Sequence, residues 1–119
     1  MSRDLRFYLT DILMACEKIL RYTRGMDFEG FIADDRTFDA VIRNLQINGE
    51  AVKNIPVDTR DRNPEIEWRK IAGLRDILAH TYFQIENEII WDIVINKIQP
   101  LQHHIHQMLG KEESDREIE

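Results

Sequence analysis

Asp4-Leu5-Arg6-Phe7-Tyr8-Leu9-Thr10-Asp11-Ile12-Leu13-Met14-Ala15-Cys16-Glu17-Lys18-Ile19-Leu20-Arg21-Tyr22-Thr23-Arg24-Gly25 decides the fold class of this 119-residue chain. Leu5, Leu9, Ile12, Cys16 and Ile19 step by four, three, four and three, which draws one apolar stripe down an α-helix. That spacing predicts a first helix over about residues 4–24, stopped by Gly25. Cys16 falls on the stripe and reads as a small buried hydrophobe.

The same period recurs outward along the chain. Phe28 and Phe31-Ile32-Ala33 form an apolar plug or short helical turn. Asp34 or Asp35 is placed to cap a second long helix carrying Phe38, Val41, Leu45, Val52 and Ile55 on one face, ended by Pro56. Gly49 lies on that face, where a missing side chain lets another helix approach closely. Residues 57–63 read as a polar connector, and Asn63-Pro64-Glu65 as the start of a third helix through Trp68, Ile71, Leu74 and Leu78. A fourth helix begins near Glu86 or Asn87. Its stripe of Trp91, Val94, Ile98, Leu101, Ile105 and Met108 keeps phase across Pro100, which predicts a kink or brief break with the two pieces stacked. Ile89, Ile90, Ile93 and Ile95 lie off that stripe and mark a candidate oligomer contact. No strand alternation competes. The expected architecture is an all-α, up-and-down four-helix bundle with a kinked or broken last helix, in one domain over residues 1–110 with a charged, flexible tail at 111–119.

Composition narrows the function classes. A single cysteine excludes an internal disulfide and fits a reducing compartment. Neither an apolar leader after Met1 nor a run of membrane-spanning length is present in the sequence, so a soluble, cytoplasmic protein without a membrane partner is expected. The net charge of −6 argues mildly against nonspecific nucleic-acid binding. Half of that excess sits in residues 111–119, however, where five acids face Lys111 and Arg116. Residues 56–83 balance five acids against five bases, and residues 1–25 are net +2.

Reactive side chains concentrate in Leu74-Arg75-Asp76-Ile77-Leu78-Ala79-His80-Thr81-Tyr82-Phe83. On a straight helix Arg75 and Tyr82 lie nearly in line, and Asp76 and His80 are neighbours four apart. Arg75 and His80 are separated by about 140° around the axis and roughly 7.5 Å along it, so one helix does not deliver both to one atom. Either the helix loosens near His80 or a second subunit supplies the missing half. The residue types suit phosphodiester cleavage without a metal or other cofactor. A histidine can move a proton at a ribose 2′-hydroxyl or a leaving oxygen. An arginine fork can hold phosphate oxygens. Asp76 could orient His80, and Tyr82 could position phosphate or stack on a base. The plain structural reading is an Arg-Asp surface pair with a packed His and Tyr at a helix end.

Arg75, His80 and Tyr82 match the R-x4-H-x-Y pattern of the HEPN superfamily of small helical ribonucleases. The chain further resembles the HepT branch, toxins paired with MntA-type minimal nucleotidyltransferases. The supporting stretches are Asp39-Ala40-Val41-Ile42-Arg43-Asn44-Leu45, Ile47-Asn48-Gly49-Glu50-Ala51, Pro64-Glu65-Ile66-Glu67-Trp68-Arg69-Lys70-Ile71-Ala72-Gly73-Leu74-Arg75 and Trp91-Asp92. The resemblance implies a HEPN fold, a homodimer whose two motifs face one cleft, metal-independent RNA cleavage by Arg75 and His80 with Asp76 and Tyr82 in support, and neutralisation by AMP transfer to Tyr82. AMP there would add bulk and charge where an RNA phosphate should sit. Position 76 is Asp where asparagine is frequent in the family, and position 67 is Glu where proline is frequent. An unpaired carboxylate at 76 would repel RNA.

Two other readings stand beside this one. A non-catalytic helical module serving a nucleotidyltransferase would use Arg75 and Tyr82 as contacts and leave His80 dispensable. His103, His104 and His106 form a second cluster, but no Cys or HExxH pattern accompanies them and Ile105 takes the core stripe, which favours a solvated helix face over a metal site.

Overall fold

The computed structural model describes residues 3–80 and 85–118, with side chains described for 4–80 and 85–111. Among the described residues seven helices follow in order: α1 (Arg3–Tyr22), α2 (Phe28–Ala33), α3 (Asp35–Lys53), α4 (Val57–Asp61), α5 (Trp68–His80), α6 (Asn87–Asn96) and α7 (Ile98–Ile118). The long members α1, α3, α5 and the α6–α7 pair make an all-α bundle, with no strand among the described residues. Helix α3 is central and packs along both α1 and α5, while α1 also packs along α7.

Most positions on the stripes drawn from spacing lie in the core, while Phe38, Ile71, Leu74 and Trp91 are only partly buried against it. Leu5, Leu9, Ile12, Cys16 and Ile19 of α1 are buried, as are Val41, Leu45 and Val52 of α3 and Val94, Ile98, Leu101, Ile105 and Met108 across α6 and α7. Helix α1 ends where expected: the Thr23 hydroxyl donates to the Ile19 carbonyl at 2.8 Å, and Gly25 takes φ +77°, a left-handed conformation that favours glycine. Asp34 is the cap of α3, its carboxylate accepting from the Thr37 amide at 3.1 Å. That hydrogen bond holds the Asp34 carboxyl below the usual carboxylate range. Phe31, fully buried, plugs the bundle against the rings of Phe38 (5.3 Å between centroids) and Trp91 (5.0 Å).

One polar side chain crosses the apolar seam between α1 and α3. Asn48, 1% exposed, donates from Nδ2 to the Cys16 sulfur at 3.8 Å, while its Oδ1 has no partner. Burial pushes the Cys16 thiol up to about 12, against the smaller opposing effect of the Asn48 contact.

Two boundaries differ from the sequence reading. The expected polar connector contains α4, and α5 opens at Trp68, not at Pro64. Asn63 closes α4 instead of starting α5. Its side-chain amide donates back to the Thr59 carbonyl at 2.8 Å, and its own carbonyl accepts from the Trp68 indole N–H at 3.0 Å. Buried Ile66 then pins the intervening turn to the core. The break in the last helix comes at Lys97, three residues before Pro100. Proline thus sits in the first turn of α7, where a missing N–H leaves no helical bond unmade. The backbone of α7 continues as helix past Gly110 to Ile118, through the region read as a tail.

At Gly49, α3 and α5 approach closely. A Cβ there would collide with Arg75 Cβ and lie 2.9 Å from Arg75 Cγ and 3.0 Å from the Ile71 carbonyl oxygen. The expectation of close packing at Gly49 holds, and the side chain it makes room for is Arg75.

Candidate functional site

Helix α5 carries Arg75 in its second turn, facing α3, and a cross-helix charge network fixes it. Its guanidinium pairs with Glu50 of α3, and Nη1 lies 3.2 Å from Asp76 Oδ1. Asp76 is in turn paired with Lys53, one helical turn beyond Glu50. The Lys53 hydrogen bond, then the Arg75 one, holds the Asp76 carboxyl below its ordinary range, and the same Asp76 contact raises Arg75 further. Asp76 is therefore a paired carboxylate, which removes the repulsion that a lone one would exert on a phosphate.

Arg75 opens onto a cleft of about 380 Å³ between α1 and α3, lined by polar and apolar groups alike. Tyr8 and Asp11 line it from α1, Arg43, Gln46 and Glu50 from α3, and Ala79 beside Arg75 from α5. His80, the last residue of α5, is exposed and is not among the residues lining this cleft. Because α5 is continuous helix from Trp68 to His80, the loosening considered for this segment does not occur up to that residue. The angular gap of about 140° between Arg75 and His80 therefore stands within one chain. No hydrogen bond joins Asp76 to His80 among the described residues; the Asp76 carboxylate is turned to Lys53 and Arg75. Tyr82 lies outside the described residues.

Sequence reasoning placed Arg75, Asp76 and His80 on one helix but missed the partners Glu50 and Lys53. Gly49 carried the usable signal. A glycine on a core stripe marks a close crossing, so its neighbour Glu50 and the residue one turn on, Lys53, face whatever crosses there. Of the histidines, His103 and His106 are exposed, while His104 is half-buried with Nδ1 turned inward and unpaired. A second groove of about 520 Å³, mostly apolar, runs between α5 and α6–α7 and includes Ile71, Leu74, Ile77, Ile93 and His104. No described helix is long and apolar enough to cross a membrane.

The chain is thus a small all-α bundle with an arginine fork at a cleft, a group that can hold phosphate oxygens. Comparison with known proteins makes that class specific. A family model described as "Ribonuclease HepT-like" matches residues 12–108. A Methanocaldococcus jannaschii protein named "Putative RNase MJ0127" is 44% identical over 117 residues, 95% of this chain and 97% of the relative. Thermococcus cleftensis has a "Probable ribonuclease HepT" that is 46% identical over 101 residues, 85% of this chain and 92% of the relative. A Caldanaerobacter subterraneus subsp. tengcongensis protein named "Putative RNase TTE0752" is 39% identical over 107 residues, covering 90% and 96%. No solved structure matches. The chain belongs to the HepT-like ribonuclease family.

Proposed function

We propose that this protein is a metal-independent endoribonuclease acting as the toxin of a HepT/MntA-type pair in the cytoplasm, with Arg75 and His80 at a site shared by two subunits. The observation that carries this reading is the fixed Arg75 fork in a cleft of a HepT-like ribonuclease. In the reaction a ribose 2′-hydroxyl attacks the adjacent phosphorus, the bond to the 5′-oxygen breaks, and a 2′,3′-cyclic phosphate and a 5′-hydroxyl end result. Arg75 stabilises the charge that builds on the phosphate oxygens. His80 takes the proton from the 2′-hydroxyl or gives one to the leaving oxygen. Glu50 and Asp76 hold the fork in place before substrate arrives.

A second subunit resolves the geometry, since a copy of α5 facing the first brings one chain's His80 toward the other's Arg75. Of the isoleucines read as an oligomer contact, Ile90 is buried in the core, whereas Ile89 and Ile95 of α6 are 51% and 52% accessible; with Ile77 of α5 at 44%, these exposed apolar side chains support a partner surface. Neutralisation follows from AMP transfer to Tyr82 by an MntA-like nucleotidyltransferase, two residues beyond His80 in sequence.

Incubating the purified protein with RNA in excess EDTA tests the catalytic reading. Cleavage with cyclic-phosphate ends, lost in His80→Ala and Arg75→Ala, is the expected result. Intact RNA, or equal cleavage by His80→Ala, refutes it and favours the non-catalytic module. Sedimentation should give a dimer at micromolar concentration, and a stable monomer removes the shared site. Co-incubation with the partner and ATP should add AMP to the wild type and not to Tyr82→Phe.

A further inference from the structure

The cleft that receives Arg75 contains more than the reaction requires. Arg43 and Glu50, the partner of Arg75, are seven apart on α3, so they lie almost in line and about 10.5 Å apart along the axis. Arg43 is exposed and forms no ion pair among the described residues, whereas Arg75 is engaged by two carboxylates. Tyr8 and Asp11, three apart on α1, share the opposite wall. The Tyr8 ring is half-buried and meets the exposed Phe7 ring edge-on, with centroids 6.0 Å apart and planes at 82°. A cation, an aromatic ring and an acceptor-only carboxylate thus line one concave surface beside Arg75. Aromatic rings stack on unpaired bases, arginine holds backbone phosphate, and a carboxylate accepts from exocyclic amino groups.

We propose that this cleft is the subsite for the nucleotide next to the scissile phosphate of single-stranded RNA. Arg43 holds that nucleotide's phosphate, Tyr8 stacks on its base, and Asp11 favours bases that carry an amino group over uracil. The inference rests on the ribonuclease reading above and adds to it a substrate form and a positional preference.

The test uses the full-length protein, a single-stranded RNA pool of random sequence, and the variants Arg43→Ala, Arg43→Lys, Tyr8→Leu, Tyr8→Phe and Asp11→Asn, each checked for an unchanged helical spectrum. Arg43→Ala should raise KM with kcat within about twofold, and reduce the log–log salt slope of binding by about 0.7, the value for one phosphate contact on a single strand. Arg43→Lys should restore the salt slope. Tyr8→Leu should weaken binding roughly ten- to a hundredfold while Tyr8→Phe keeps it. Cut sites made by the wild type should disfavour uracil at one flanking position, and Asp11→Asn should flatten that bias. If the wild type cleaves but these variants leave KM, salt slope and cut-site bias unchanged, the subsite is wrong and the ribonuclease reading stands. If the wild type binds RNA without cleaving it, the catalytic reading falls and the same variants judge the subsite by Kd. A wild type that neither binds nor cleaves overturns both.

Discussion

Replacing Gly49 with alanine puts one methyl group into the close crossing of α3 and α5. The new Cβ would overlap Arg75 Cβ and press within 3.0 Å of the Ile71 carbonyl oxygen, part of the α5 backbone. A flexible side-chain tip could swing aside, but a Cβ and a carbonyl move only if the whole helix moves. Overpacking of this kind costs about 3 kcal/mol, offset by the roughly 1 kcal/mol that alanine gains over glycine inside a helix. The net loss is about 2 kcal/mol, which for a domain of this size lowers Tm by roughly 6–12 °C. Separation of α3 from α5 also strains the Glu50–Arg75 and Lys53–Asp76 pairs, so activity should fall further than stability. The assay pairs a thermal melt with RNA cleavage at a temperature where the variant is still fully folded. A Gly49→Ala protein that melts at or above the wild type, or that keeps full activity, refutes the close crossing and the dependence of Arg75 on it.

Four further outcomes follow from the packing and the charges. Phe31→Ala removes the ring that Phe38 and Trp91 enclose and should cost about 3–5 kcal/mol, read by denaturant unfolding; a loss under 1 kcal/mol would show that the plug is not structural. Cys16, with its thiol pushed up to about 12 from an ordinary 9.0, should resist thiol reagents at pH 8 until the protein unfolds. Its contribution to stability is complete below about pH 9 and is lost as pH rises toward 12, because the unfolded chain releases that proton first; Cys16→Ala should show a flatter fall over the same range. Lys53→Ala leaves the Asp76 carboxylate facing Arg75 alone, so RNA affinity should drop while Tm barely moves, and Asp76→Asn in the same chain should restore it. Unchanged affinity in Lys53→Ala would mean that Lys53 does not shield the site.

The fold was legible wherever one helix's own period carried the information. The α1 stripe, the Asp34 cap, the Phe31 plug and the close approach at Gly49 are each decided by residues within a turn or two of one another. The start of α5 was not, because Asn63 has two valid uses in sequence, opening a helix or closing one. Contacts with Thr59 and the Trp68 indole select the second, and those depend on how the turn folds back. The site divides in the same way. Arg75, Asp76 and His80 could be placed on one helix from spacing, but Glu50 and Lys53 face them only once the rotation of α3 against α5 is known. In the shared site proposed above, His80 would meet the Arg75 of a second copy, and helical spacing within one chain does not give the arrangement of two.

Asn48 gives the bundle a property that apolar packing alone would not. Leu, Ile and Val stripes are nearly self-similar from one turn to the next, so two such helices can slide by about 5.4 Å and still bury comparable area. The Asn48 amide meets the Cys16 sulfur in only one of those alignments. A slip of one turn would set it against Ile12 or Ile19, which offer it no hydrogen bond. A single buried amide thereby acts as a vernier mark between α1 and α3. Since Arg43 and Glu50 travel with α3, and Tyr8 and Asp11 with α1, that mark also sets which walls of the cleft stand opposite each other.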